Sequence, residues 1–215
     1  EPRGGRVREA RARRHARWHG RLVALGVVLP SRVRMPHHES AAHSPLLDQH
    51  LAELTLAAAL GPIVDLACGT GRNGLFLASQ GLPVVFADRS AEALSEVRQQ
   101  LSARGLVAET WHVDLETGDD PLAGKQFGAA LVFRYLHRPL MPRLAASIAP
   151  GGLVIYETFT VHNLQYGRPN NPEFLLLSDE LPTHFPGFTA LHAFEGFLPD
   201  PDRDVAQLVC RKPVG

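Results

Sequence analysis

The sequence predicts an α/β fold, a mostly parallel sheet with helices packed against it. Three observations predict it. Ile63 to Asn73 reads Ile-Val-Asp-Leu-Ala-Cys-Gly-Thr-Gly-Arg-Asn, a short apolar run ending in a glycine-rich turn. From there to Tyr156, segments of strand length alternate with segments of helical spacing, the pattern of a parallel sheet. Acids close three successive strand segments: Asp65, Asp88 and Asp114. On a parallel sheet those ends share the one edge where ligands bind.

Each element follows from local chemistry. Pro45 to Leu60 has helical spacing, with Leu46, Leu47, His50, Leu51 and Leu54 on one side, and Gly61-Pro62 stops it. Strand one is Ile63 to Leu66. Gly69 and Gly71 open a turn that few other residues can make, and the helix from Asn73 to Gln80 points its N-terminal N–H groups at that turn. Gly81 ends this helix. Strand two is Pro83 to Asp88, whose carboxylate can accept from a ribose diol. Ser90 caps the helix Ala91 to Arg104, and Glu92 suits its first turn. Strand three spans about Val107 to Val113. Strand four, Phe127 to Phe133, is a near-continuous apolar run fit for a buried central position. A helix over Leu140 to Ile148 and a Pro150-Gly151-Gly152 turn lead to strand five, Leu153 to Tyr156. Glu157 to Asp179 is a long segment rich in Asn, Pro and Gly at the ligand edge, which reads as an active-site lid. A short helix begins at Ser178. Thr189 to Phe194 and Asp204 to Cys210 close the chain as an antiparallel pair. The sum is a Rossmann-like, seven-stranded, mostly parallel sheet with helices on both faces and an antiparallel C-terminal strand pair.

The Ile63–Asn73 stretch strongly resembles motif I of the class I S-adenosylmethionine-dependent methyltransferases, with Asp65, Gly69 and Gly71 matching and Ala67 in place of the first glycine. The resemblance covers roughly residues 45–210. It implies S-adenosyl-L-methionine as cofactor and a methyl transfer to a small-molecule acceptor. It implies a cofactor site of Asp65, Ala67, Gly69, Gly71, Asp88, Arg89, Asp114, Leu115 and Phe133, in which Asp65 meets the methionine end, Gly69 and Gly71 allow close main-chain approach, Asp88 suits the ribose and Asp114 the adenine. Acceptor-side groups then follow strands four and five: His137 as base, Tyr135 as a positioning group, and Arg134, Tyr156, Glu157 and Arg168 toward the substrate. Arg134-Tyr-Leu-His-Arg-Pro139, Tyr156-Glu-Thr-Phe159 and the Gly167-Arg-Pro-Asn-Asn-Pro-Glu-Phe174 segment resemble small bacterial methyltransferases of the tellurite-resistance type. In that group oxyanions of tellurium and selenium or thiol-like nucleophiles are acceptors, and Arg134, Arg138 and Arg168 suit an anion. The Asn/Asp-Pro-Pro-Tyr/Phe tetrad of base amino-methylation is not present after strand four, nor is a catalytic cysteine for cytosine carbon-5.

Two other readings compete. Gly69, Gly71 and Gly74 also form a G-x-G-x-x-G, with Asp88 nineteen positions after Gly69, as in NAD(P)-dependent oxidoreductases. Asp65 beside a pyrophosphate would be repulsive, which weighs against that reading. A non-catalytic S-adenosylmethionine-binding protein is the third reading.

The 215 residues carry 22 basic and 22 acidic side chains, unevenly spread. Residues 1–34 hold ten arginines and two glutamates, so the remainder is acidic. An acidic body argues against nucleic acid as a partner. Cys68 and Cys210 are too few for a disulfide framework and suit a reducing, cytoplasmic setting. His37, His38 and His43 lack a helical metal-binding spacing, so no metal site is expected. Residues 1–40 form an arginine-rich extension, expected to lack a fixed fold, ahead of a domain over 41–215. A signal peptide, an organelle transit segment and an over-extended reading frame all fit the extension, the last best, because twenty arginines against two lysines suggest GC-rich coding. A monomer or weak homodimer is expected.

Overall fold

Strands β1 (Ile63–Leu66) and β4 (Phe127–Phe133) are buried at every position. They are the centre of the sheet because they are the most continuously apolar runs in the chain. The computed structural model describes residues 42–215; the arginine-rich extension lies outside the described residues. Strands β2 (Val84–Asp88), β3 (Glu109–His112), β5 (Ile148–Phe159), β6 (Thr189–Leu198) and β7 (Arg203–Arg211) complete a seven-stranded sheet of order β3-β2-β1-β4-β5-β7-β6. Pairing is parallel from β3 to β5 and antiparallel for β5–β7 and β7–β6. The order reverses at β1, and crossing from β1 to β4 leaves a crevice at the C-terminal edge.

The two faces of the sheet are covered differently. Helices α1 (Pro45–Gln49), α2 (Leu51–Ala58), α3 (Arg72–Ser79) and α4 (Ala91–Arg104) all pack on one face, with Leu47, Leu54, Leu77 and Val97 fully buried against Ile63, Phe86, Leu131 and Ile155. The other face holds Leu115, Leu122, helix α5 (Met141–Ser147) and helix α6 (Glu180–Thr183), packed on Val64, Val132 and Tyr156. Alternation along the strands sorts the side chains: Val64 and Leu66 face one layer while Ile63 and Asp65 face the other.

Local chemistry sets the helix ends. Ser90 Oγ accepts from the Ala93 N–H at 3.1 Å, and α4 stops at Gly105 in the left-handed conformation. The single helix expected over 45–60 is two helices, because His50 (φ −118°, ψ 21°) breaks the register between them. Strand five is longer at both ends than expected. Ile148 already pairs with Phe127, so Pro150-Gly151-Gly152 lies within the strand, and pairing with β7 continues to Phe159.

Helix α2 ends directly on β4. A Cβ on Gly128 would lie 2.0 Å from the Ala57 carbonyl oxygen and 2.5 Å from that of Gly61. Both obstacles are backbone, so neither can rotate aside. We expect Gly128→Ala to destabilise the protein by about 3 kcal/mol, read as a lower urea midpoint at an unchanged slope.

Candidate active site

The loop after β1 is held by two carboxylates. Asp65 is 3% exposed and its Oδ2 accepts from the Gly74 N–H at 2.9 Å. Asp88, at the end of β2, accepts from the Gly69 N–H through Oδ2 at 2.8 Å and from the Ser90 N–H through Oδ1 at 2.8 Å. Gly69 (φ 55°) and Gly71 (φ 79°) both take left-handed angles. Their surroundings differ. Nothing lies within 4 Å of where a Gly69 Cβ would be, so that peptide is open to a ligand. A Gly71 Cβ would meet Val97 at 2.8 Å and Phe86 at 2.9 Å, so Gly71 serves packing under the loop. Ala67 also adopts a left-handed angle (φ 52°), at a cost of about 1 kcal/mol that glycine would not incur.

A cavity of about 330 Å³ opens beside this loop at the C-terminal edge of the sheet. Ala67, Asp88 and Arg89 form one wall and Val113, Asp114, Leu115 and Glu116 the next. Arg134, Tyr135 and Leu136 come from the end of β4, and Phe159, Pro169 and Phe174 from the lid. An open hollow of about 420 Å³ adjoins it and adds Arg168, Asn170 and Asn171. Asp114 Oδ1 accepts from the Glu116 N–H at 2.9 Å, which shapes the turn after β3. Arg89 lies 3.7 Å from Glu116.

The charges at this edge are unusual. Burial, with a smaller push from Asp88, raises Asp65 from an ordinary 3.8 to about 7, against the opposing effects of the Gly74 N–H and Arg72. Burial first, then the Glu116 and Asp114 carboxylates, raises the Tyr135 phenol well above its usual range. Its hydroxyl is enclosed beside the Glu116 carboxylate, so it stays protonated as a donor at the cavity wall. Burial likewise raises the Cys68 thiol, which leaves it a packing residue rather than a nucleophile.

Several expected site residues stand elsewhere. Phe133 is 8% exposed and packs into the α1–α4 layer instead of lining the cavity. His137 is half-buried, starts a 3-10 turn over Arg138–Leu140 and is not part of the cavity wall. Tyr156 is 1% exposed, and its hydroxyl donates to the Tyr135 carbonyl at 2.8 Å, so it braces the loop from beneath. Glu157 is 5% exposed on the opposite face and accepts from Gln207. Arg138 does not await an anion. It grips Glu180 with two nitrogens at 2.6 and 2.8 Å and donates to the Glu173 and Leu175 carbonyls at 3.0 and 2.9 Å.

The lid is thereby a built structure. Thr160 Oγ1 donates to Asp204, and Asn163 accepts from the Asp204 N–H at 3.0 Å. Thr160 also bridges to Leu176, and the Arg138–Glu180 pair fixes the segment that carries Phe174. Phe159, Pro169, Phe174 and Glu116 were not singled out from sequence. The prolines and aromatics of the lid were the available signal.

Comparison with known proteins agrees with this geometry. The sequence profile of the methyltransferase-domain family matches residues 63–152. Residues 63–152 are thus similar to a methyltransferase domain. The fold is shared with solved S-adenosylmethionine-dependent methyltransferases. TehB from Haemophilus influenzae superposes with a TM-score of 0.59 at 18% identity, over 76% of this chain and 62% of that one. The chain thus spans under two thirds of TehB's length. A S-adenosylmethionine-dependent methyltransferase from Methanosarcina mazei gives 0.60 at 16% identity, over 81% of this chain and all of the other. The N-methyltransferase NodS from Bradyrhizobium japonicum, in complex with S-adenosyl-L-homocysteine, gives 0.56 at 16%, over 77% and 86%. No curated protein matches the chain by sequence.

The residues at this edge fit S-adenosylmethionine. Carboxylates suit its ammonium and hydroxyl groups, the open peptide at Gly69 leaves room for close approach, and the cavity edge is otherwise apolar.

Two outcomes follow from the charges. Between pH 4 and 7 the unfolded chain releases an Asp65 proton that the folded chain keeps, so stability falls with rising pH and levels off above 7. Asp65→Asn removes that loss. Relative to wild type, we expect its unfolding free energy to gain on the order of 3 kcal/mol from pH 4 to pH 8, measured without ligand. Glu180 behaves oppositely. Arg138 holds it down at about 2 from an ordinary 4.5, so its contribution is full above pH 4.5 and lost toward pH 2. Glu180→Gln is expected to cost about 2 kcal/mol at pH 7 and nothing near pH 2, followed by urea unfolding.

Proposed function

We propose that the protein transfers the methyl group of S-adenosylmethionine to a small-molecule nucleophile held under the 159–174 lid. The observation that carries this is the 330 Å³ cavity, which joins the carboxylates of Asp88 and Asp114 at one end to the lid aromatics Phe159 and Phe174 at the other. A cavity of this size takes small ligands rather than a polymer. The acidic composition of the chain beyond residue 34 supports the same reading.

In this reading Asp88 accepts from the ribose hydroxyls, using lone pairs left over after Gly69 and Ser90. Asp114 and Leu115 hold the adenine, and Asp65 and the Gly69 peptide hold the amino acid end. When bound, the cofactor supplies a methyl group on a positively charged sulfur. The chain's own residues align the acceptor and exclude water, which is most of what this chemistry needs. Tyr135, a protonated phenol, donates a hydrogen bond across the cavity and positions what binds there. Two free cysteines suit a reducing, cytoplasmic setting.

The test is calorimetric titration of the full chain with S-adenosylmethionine, S-adenosylhomocysteine and NADPH. The two adenosyl ligands should bind with dissociation constants on the order of 10 µM, weakened about 30-fold or more in Asp88→Ala. Binding of NADPH alone would overturn the reading. Cofactor binding without turnover on amines, thiols or oxyanions would make the protein a binder rather than an enzyme.

A further inference from the structure

The two spaces at the C-terminal edge differ in charge. The 330 Å³ cavity is lined by the carboxylates of Asp88, Asp114 and Glu116. The adjoining 420 Å³ hollow is lined by Arg134 and Arg168, by Asn170 and Asn171, and by the rings of Phe159 and Phe174, and its lining holds no acid. Arg134, Phe159 and Phe174 line both spaces, so the two form one crevice with an acidic end and a basic end. Because the chain beyond residue 34 is acidic, an acid-free lining runs against its composition. The reading above places the cofactor at the acidic end and leaves the basic end without a role.

The basic end is built into the lid. Buried Asn163 donates through Nδ2 to the Arg168 carbonyl at 3.2 Å and accepts from the Asp204 N–H through Oδ1 at 3.0 Å. It thereby ties the backbone that carries Arg168 to β7. Asn171 Oδ1 accepts from the Glu173 N–H at 3.1 Å, and Arg138 donates to the Glu173 carbonyl at 3.0 Å, so the backbone leading to Phe174 is fixed on two sides. The guanidinium of Arg168 makes no hydrogen bond or ion pair among the described residues. Arg138, by contrast, has four donors engaged within the lid. One arginine is thus structural, and the other faces the hollow with its fork unused.

We propose that the acceptor is a small organic anion with a flat apolar body, whose anionic group is bound in the hollow by Arg168 between Asn170 and Asn171 and whose body packs on Phe159 and Phe174. A guanidinium meets a carboxylate with two parallel N–H donors, and side-chain amides add neutral ones. The rings give a flat body an apolar surface to stack on. A protonated amine would find no carboxylate in the hollow. A bare inorganic oxyanion would leave both rings without a partner. With its anion held at the basic end, the molecule extends toward the cavity, where the cofactor would present its methyl group. The inference rests on the methyl-transfer reading and narrows its acceptor.

The experiment titrates the full chain, saturated with S-adenosylhomocysteine, with four probes. Benzoate, benzamide and benzylamine share one shape and differ in charge, and sulfate is an anion with no apolar body. Benzoate is expected to bind at least about fivefold tighter than each of the others. Arg168→Gln should abolish the preference for benzoate over benzamide while S-adenosylhomocysteine affinity stays within about twofold. Phe174→Ala should weaken benzoate and benzamide alike, about threefold or more. Arg98→Gln, an exposed arginine on α4 outside both linings, should leave benzoate affinity within about twofold. Benzamide or benzylamine binding as tightly as benzoate overturns the proposal, as does equal benzoate binding in Arg168→Gln and wild type. Sulfate binding as tightly as benzoate overturns it by showing a bare oxyanion site, and so does failure of benzoate to bind at about 10 mM. Should Arg168→Gln fail to fold, the wild-type order of the four probes decides alone. A protein that does not bind S-adenosylhomocysteine at all refutes the methyl-transfer reading, an outcome distinct from loss of the anion preference.

Discussion

The site depends on how tightly the loop after β1 is pressed onto the sheet. A Cβ on Gly74 would fall 2.4 Å from the Phe86 ring and 2.9 Å from Asp65 Oδ2. That closeness lets the buried Asp65 carboxylate reach the Gly74 N–H, and it brings the start of α3 down over the end of β1. From β2, Asp88 then ties Gly69 and Ser90 into the same framework, so two helices and two strands share one hydrogen-bonded corner. A larger residue at Gly74 would lift α3, free Asp65 and open the corner. The raised Asp65 pKa is the energetic trace of this arrangement, since a buried carboxylate with one backbone donor is poorly solvated. A cationic ligand group at the loop would ease that penalty, so ligand binding and loop geometry are coupled.

The second half of the site is held by a different device. Arg138 follows β4, while Glu180 begins α6 after the lid, so their bidentate pair closes a loop of some forty residues. The two carbonyl contacts to Glu173 and Leu175 use two more guanidinium hydrogens to fix the backbone beside Phe174. Only arginine has the fork to do all four at once. His184 joins on the other side, 3.0 Å from Glu180. The lid aromatics thus stand in place before any ligand arrives, which lowers the ordering cost of binding.

Much of this was legible in the sequence. The glycine turn, the acids at three strand ends, the Ser90 cap and the boundaries of β4 and α4 all follow from local patterns, because each has a short-range physical cause. The positions of Asp65, Asp88 and Asp114 along one edge are legible for the same reason, since strand ends alone place them. The positions of Tyr156 and Glu157 are not. Tyr156 and Glu157 look like neighbours after a strand, so both read as loop residues facing one site. The strand in fact continues to Phe159, held by β7, a partner fifty residues away. Within a strand adjacent side chains point to opposite faces, so Tyr156 enters one core and Glu157 the other. His137 stands off the cavity wall for another reason: a proline two residues on belongs to the 3-10 turn that begins after it. Arg138 read as a free cation because its partner lies forty-two positions ahead.

The two carboxylates at this edge show how burial and partnership divide roles. Asp65 and Glu157 are almost equally buried, at 3% and 5% exposure, and face the same layer. Asp65 has one backbone donor and two charged neighbours of opposite sign, so its protonation is balanced near neutrality. Glu157 has a side-chain amide donor that is itself braced by an imidazole. A backbone donor is present whatever side chains surround it, whereas the Gln207–His192 chain requires two specific residues on two C-terminal strands. Those strands are antiparallel additions at the β5 side of the sheet, away from the glycine loop. Placing the polar chain there keeps it apart from the hydrogen-bonded corner built by Asp65 and Asp88 around the glycine loop.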